Sequence, residues 1–189
     1  MSSEITNRPC PWNGAVAKGG GLMAGNGIRT LHRGSTDDWN TPADFVARVK
    51  DVGRIALDPC SNLHSVVKAD ENLLSGGIEK YWGEVKGKKR GGIVFVNPPY
   101  SDARIWAHKI SQEARMGIQI VALMPCRTDT RHFHLLAGLA DALCFVRGRI
   151  FFTLNGEAKG KPSFPSVVFY FGKNVEKFEK AFEPIGLVY

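Results

Sequence analysis

The chain has 189 residues, 43% of them hydrophobic and 23% charged, which fits one globular domain with a substantial core and leaves two full domains cramped. Twenty-five Lys and Arg against eighteen Asp and Glu give a net charge of +7, a balance that suits a polyanionic partner. No apolar run approaches the roughly 20 residues that span a bilayer and no apolar h-region opens the chain, so a soluble cytoplasmic protein is expected. Cys10, Cys60, Cys126 and Cys144 are far apart with no C-x-x-C pair, and we read them as reduced thiols rather than a disulfide frame or a zinc site.

Residues 1–36 are glycine-rich and show little periodicity. Gly19 through Ala24 matches G-x-G-x-x-A formally, but no strand precedes it and no amphipathic helix follows, so the dinucleotide reading lacks its context. We take 1–36 as a flexible arm and 37–189 as a single domain. Trp39–Asn40–Thr41–Pro42 opens a helix predicted at about 43–52, with Thr41 as N-cap and Pro42 as its first residue. Arg54 to Asp58 reads as a short buried strand, and Ser65 to Asp70 as a second. Lys86, Lys88, Lys89 and Arg90 form a basic cluster suited to phosphates.

Gly91 to Val96 is an apolar strand that runs straight into Asn97–Pro98–Pro99–Tyr100. Two prolines cannot continue a ladder or a helix, so a stiff loop is expected at a strand's carboxyl end, where open α/β sheets bind ligands. Asn97 offers a carbonyl acceptor and Pro98 its backbone carbonyl. Two adjacent acceptors match the two hydrogens of an exocyclic amino group, and the Tyr100 ring suits stacking on a planar base. Pro99 keeps the loop rigid.

Apolar positions at Ile105, Trp106, Ile110, Ala114 and Met116 predict a helix over 102–116, stopped by Gly117. Ile118 to Met124 is the next strand, which completes a β-α-β unit. The loop 126–134 carries Arg127 and Arg131 toward phosphates, with Asp129 or Thr128 capping the helix that follows. His132 and His134 are two apart, poor spacing for a metal, and no metal is expected. Ala142 to Val146 is a strand; Arg147–Gly148–Arg149 then turns into 150–154 as a hairpin. A basic loop containing Lys161 leads to the strand 167–171, and Asn174 to Phe182 forms a last helix with Val175, Phe178 and Phe182 on one face.

The Asn-Pro-Pro-Tyr loop is similar to that of amino-group methyltransferases that use S-adenosylmethionine. Taken in order with Asp37–Asp38–Trp39–Asn40–Thr41–Pro42, Ala56–Leu57–Asp58–Pro59–Cys60, Arg147–Gly148–Arg149–Ile150–Phe151–Phe152 and Pro162–Ser163–Phe164–Pro165–Ser166, it resembles the phage-type Dam family of DNA adenine-N6 methyltransferases over about residues 37–172. The resemblance implies an α/β, Rossmann-like methyltransferase fold with a mostly parallel, doubly wound sheet ending in an antiparallel hairpin. It also implies methyl transfer from S-adenosylmethionine to adenine N6 in DNA, with the target base flipped out. Under it Asn97, Pro98, Pro99 and Tyr100 are catalytic, and Trp39, Thr41, Pro42, Asp58, Pro59, Cys60 and Asn97 lie at the cofactor. The acidic ribose ligand is Asp70, with Glu71 its competitor. Lys88, Lys89, Arg127, Arg131, Arg147, Arg149 and Lys161 face DNA. The loop after Asp58 lacks the usual glycines, which favours one alternative, a non-catalytic nucleic-acid-binding relative; methylation of RNA or of protein glutamine is the other.

Overall fold

The computed structural model describes residues 40–85, 88–89, 91–154, 157–158 and 164–189, without the side chains of residues 85, 88, 89, 154, 157 and 158. These residues fall in one compact unit, Arg33–Tyr189. The expected arm 1–36, Trp39, Lys161 and the side chains of Lys88 and Lys89 lie outside the described residues.

Chain order is α1 (Ala43–Val52), β1 (Ile55–Asp58), β2 (Glu71–Asn72), β3 (Glu84–Val85), β4 (Lys88–Lys89), β5 (Ile93–Val96), α2 (Ala103–Arg115) and β6 (Ile120–Pro125). It continues with α3 (Arg131–Ala137), β7 (Ala142–Val146), β8 (Thr153–Leu154), β9 (Glu157–Ala158), β10 (Ser166–Phe171), α4 (Val175–Phe182) and β11 (Gly186–Val188). Seven strands form one sheet in the order β11-β7-β10-β6-β5-β1-β2, while β3-β4 and β8-β9 are separate two-stranded ladders. β2, β1, β5 and β6 pair in parallel. β10 runs antiparallel between β6 and β7, and β11 lies antiparallel outside β7.

The sheet is mixed, with β2, β1, β5, β6 and β7 running one way and β10 and β11 the other. Its interior strands are apolar on both faces because both faces are covered. Ile93, Phe95, Val121, Leu123, Val168 and Tyr170 point to one side, where α1 and α4 supply Phe45, Val49, Phe178 and Phe182. Val94, Val96, Ile120, Ala122, Met124, Val167 and Phe169 point to the other, against Trp106 and Ile110 of α2 and Phe133 and Leu136 of α3. Direct register partners share a face, as Val168 does with Leu123 and Tyr170 with Val121.

Three local expectations change. Ser65 to Asp70 is not a strand: Lys68 sits at φ 49, a left-handed conformation that ends any extended run, and pairing with β1 begins only at Glu71. The segment after Arg149 does not fold back on β7, whose two neighbours are already β10 and β11; Thr153–Leu154 pairs instead with Glu157–Ala158. In α2, Ile105 and Met116 face solvent, while Ala103, Ala107, Ser111 and Glu113 join Trp106 and Ile110 inside. The buried Glu113 carboxylate has a purpose there: it accepts from the Trp82 backbone N–H at 3.2 Å and pairs with Lys109 at 2.6 Å, tying the segment before β3 onto the helix.

β7 is antiparallel to β10 and β10 to β6, so the carboxyl ends of β1, β5, β6 and β7 meet along one edge together with the start of β10. The chain leaves β1 toward β2 and leaves β5 toward β6, which makes the β1/β5 boundary the switch point where open sheets leave a crevice. The opposite edge is tight. Gly92 has φ +94°, and a Cβ there would meet the Arg54 carbonyl oxygen at 2.6 Å. Gly92→Ala should therefore lower stability by about 1–3 kcal/mol, measured as a fall in the urea midpoint at unchanged m-value; an unchanged midpoint would show that the β1–β5 entry relaxes freely.

Candidate active site

All four residues of β5 are buried, and the strand ends where Pro98, with no N–H, stops the ladder. Pro99 is extended at φ −53, ψ 125, and its carbonyl accepts from the Asp102 N–H at 3.1 Å, which closes the 3-10 turn Tyr100–Asp102 ahead of α2. Strand, double proline and turn hold Asn97 and Tyr100 in fixed positions.

Asn97 lies on the α1 side of the sheet. Its Nδ2 donates to Thr41 Oγ1 at 2.9 Å. Its Oδ1 is buried and has no hydrogen-bond partner. Thr41 is therefore not the expected N-cap: α1 has no side-chain cap, Pro42 holds the cap position at φ −60, ψ 147, and the Thr41 hydroxyl serves Asn97 instead. Asn40, just before it, is anchored by a two-bond antiparallel bridge to Thr153, at 2.8 and 3.1 Å.

Beside Asn97 a cleft runs to the carboxyl end of β1, lined by Asn40, Thr41, Asp58, Ser61, Asn62 and Phe95 among others. Its wall is polar and yet enclosed, since Asn40, Thr41, Asp58 and Ser61 are all buried. The Asp58 carboxylate accepts from the Cys60 N–H at 3.2 Å and the Ser65 hydroxyl at 3.5 Å. The loop needs no glycine of its own because its polar side chains bend it: the His64 N–H donates to Asn62 Oδ1 at 2.9 Å and the Val67 N–H to Ser65 Oγ at 3.3 Å. The glycine comes from elsewhere. A Cβ on Gly77 would sit 1.8 Å from the Pro59 carbonyl oxygen. Pro59 and Cys60 are both buried, and Cys60 lines the cleft.

The Asn-Pro-Pro-Tyr turn carries an aromatic wall around Tyr100. The Tyr100 ring meets Phe164 edge-on at 5.2 Å and Phe152 at 6.0 Å. The Tyr100 hydroxyl is buried without a partner, and burial first, then the nearby Cys60, pushes its pKa well above the ordinary tyrosine value, so it stays protonated. The Arg127 guanidinium lies 5.8 Å over the Phe164 ring. A third buried, unpartnered oxygen, Ser166 Oγ, begins β10.

The predicted residues divide clearly. Thr41, Asp58 and Asn97 come together at the cleft with Cys60. Asp70 does not: it forms an ion pair with Arg54, which precedes β1, at the opposite edge of the sheet. A strand read one segment too early had carried it to the wrong end. Glu71 is held by Lys80. Arg127, Arg131, Arg147 and Arg149 are exposed, Arg127 and Arg131 after β6 and the other two after β7, all on the edge that carries Asn97. Thr130, not Asp129 or Thr128, caps α3, accepting from the Phe133 N–H at 3.3 Å. The sequence reading missed Phe152, Phe164, Asn40, Ser61 and Ser166; the motifs around Phe152 and Phe164 had been noted, but only folding shows that both rings touch Tyr100.

The family model DNA N-6-adenine-methyltransferase (Dam) matches residues 29–176, more than half of the chain. This chain belongs to the Dam family. Membership implies DNA adenine methyltransferase activity with DNA as substrate, and methyltransferases of this family generally use S-adenosylmethionine. No curated protein and no solved structure matches the chain. Among the described residues, no helix of this Dam-family protein is long and apolar enough to cross a membrane.

The Thr41 bond sets the direction of the Asn97 amide. Thr41→Val removes that acceptor while keeping volume, and should lower kcat by about 10–100-fold with little change in DNA affinity, whereas Thr41→Ser should keep most of the activity. Equal rates in Thr41→Val and the wild type would show that the rigid loop alone orients Asn97.

Proposed function

We propose that the chain transfers a methyl group from S-adenosylmethionine to the N6 amino group of a flipped-out adenine in DNA. The observation that carries this is Asn97 Oδ1: a buried acceptor with no partner among the described residues, fixed at the switch point of the sheet in the wall of a polar cleft, three residues before the ring of Tyr100. An unpaired buried acceptor costs about 1–3 kcal/mol, which an incoming N–H donor would recover. The strand order, with an antiparallel strand inserted between the last two parallel ones, supports a Rossmann-like methyltransferase fold.

The cleft's donor set fits the methyl donor. A buried carboxylate, Asp58, favours the positive charge of a sulfonium or ammonium group, and Asn40, Thr41 and Ser61 offer hydrogen bonds to its polar parts. When bound, S-adenosylmethionine supplies an electrophilic methyl group. The chain's own part is positioning. Asn97 Oδ1 accepts one N–H of the amino group and the Pro98 carbonyl accepts the other. Both acceptors draw the nitrogen lone pair out of conjugation and stabilise the positive charge that grows on nitrogen as it is alkylated. No strong base is needed, because an alkylated amino group gives up its surplus proton to water readily. Tyr100, with Phe152 and Phe164 behind it, supplies an apolar surface for the base, and base–aromatic stacking is worth about 1–3 kcal/mol. Arg127, Arg131, Arg147 and Arg149, all exposed on this edge, suit the phosphates flanking a flipped nucleotide.

The test is incubation with methyl-tritiated S-adenosylmethionine and unmethylated DNA, followed by nucleoside analysis. Label is expected in N6-methyldeoxyadenosine, and Asn97→Ala should reduce it by at least about 1,000-fold while DNA binding persists. Label absent from DNA but present in RNA or protein glutamine would replace this reading. Reversing charge at Arg147 and Arg149 together should weaken DNA binding and flatten the slope of log K against log salt by about 2; an unchanged slope would remove both from the interface.

A further inference from the structure

Among the described residues, three buried side-chain oxygens lack partners: Asn97 Oδ1, Tyr100 OH and Ser166 Oγ. The first is accounted for by the amino group and the second belongs to the stacking ring. Ser166 has no assigned role, although it is 1% exposed in a central strand where an apolar residue would pack at lower cost.

Its position is well defined. Ser166 opens β10 directly opposite Pro125, the last residue of β6, in an unbroken register that puts Val168 and Tyr170 on the α1 side. Side chains alternate, so Ser166 points to that same side, as Asn97 does. β10 and β5 both neighbour β6, so Ser166 and Asn97 stand two strands apart on one edge and one face. Val96 pairs with Ala122, which puts Asn97 level with Leu123, whereas Ser166 pairs with Pro125 two residues further along. At about 4.8 Å per strand and about 3.3 Å per residue, the two stand roughly 11–12 Å apart. A six-membered ring with its amino group, plus a hydrogen bond of about 3 Å at each end, spans roughly 10 Å, close to that separation. The segment leading into Ser166 is fixed beside the aromatic wall: Phe164 touches Tyr100, and the Pro165 carbonyl accepts from the Cys126 N–H at 2.8 Å.

We infer that Ser166 is a substrate-binding residue of the base pocket, its hydroxyl donating to adenine N3, the ring nitrogen opposite the amino group held by Asn97. This rests on the reading of the site as an adenine-N6 methyltransferase. The sheet then gauges the base between two fixed polar atoms, on the edge where the rings of Tyr100 and Phe164 meet.

The experiment compares wild type and Ser166→Ala on duplexes whose target is adenine, 3-deazaadenine or 7-deazaadenine, with cofactor affinity and Tm measured alongside. On adenine, Ser166→Ala should lower kcat/KM by about 10–100-fold, with cofactor affinity unchanged and Tm unchanged or raised, because a buried unpaired hydroxyl is removed. On 3-deazaadenine the two proteins should methylate equally slowly, while on 7-deazaadenine the full difference should persist. Equal kcat/KM on adenine, a difference that survives on 3-deazaadenine, or a Tm fall of several degrees would overturn the assignment, the last by showing that the hydroxyl serves the fold. A wild type that methylates no DNA adenine would remove the activity reading and this inference together; normal wild-type activity with an unaffected variant removes this inference alone.

Discussion

One hydrogen bond joins the parts on which the site depends. Asn97 Nδ2 to Thr41 Oγ1 spans 56 residues of sequence and links the end of β5 to the entry of α1. An asparagine amide has two ends, and committing its nitrogen to Thr41 leaves the oxygen facing inward with nothing to bind. Thr41 is itself held from both sides, by Asn40 bridged to Thr153 and by Pro42 at the head of α1. Phe45, Val46 and Val49 then bury α1 against the sheet, so the direction of one amide is inherited from a large part of the apolar core.

Three buried oxygens unpaired among the described residues at one sheet edge carry a local cost of several kcal/mol, at about 1–3 kcal/mol each. That is a large share of a typical domain's stability of about 5–15 kcal/mol. The double-sided core makes it tolerable: β5, β6 and β10 are buried along their whole length, and aromatic pairs such as Tyr170–Phe178 and Phe45–Phe182 pack the α1–α4 side. Rigidity gained away from the site is what allows polar atoms inside it to wait unsatisfied for a partner.

How much of this was legible in the chain depended on range. The central strand, the Asn-Pro-Pro-Tyr turn, β7 and the boundaries of α1 follow from local chemistry, and they are where the sequence pattern put them. Asp70 misled because a run of apolar residues suggests a strand, while a single left-handed residue, Lys68, moves the pairing on to Glu71 and leaves Asp70 bound to Arg54. Thr41-Pro42 read as a helix cap because a local motif has a local explanation; the real partner of Thr41 is 56 positions away. The missing glycines after Asp58 looked like a defect, but close approach is supplied by Gly77 from another segment, which no spacing rule within the loop reveals. The insertion of β10 between β6 and β7 was equally invisible, since pairing order is a property of the whole sheet.

The same insertion explains why the site has two unlike halves. At the β1/β5 boundary the strands are parallel, their loops diverge, and short polar side chains fill the crevice. Past β6 an antiparallel strand brings its own approach segment back across the edge, so Phe164 arrives at Tyr100 from a direction no parallel crossover supplies. On the proposed reading, a polar, charged methyl donor and a flat base need opposite surroundings, and a single uniform pocket would bind one at the expense of the other. By changing strand direction two strands beyond β5, the chain brings both environments to the edge that carries Asn97, where the proposed chemistry requires them.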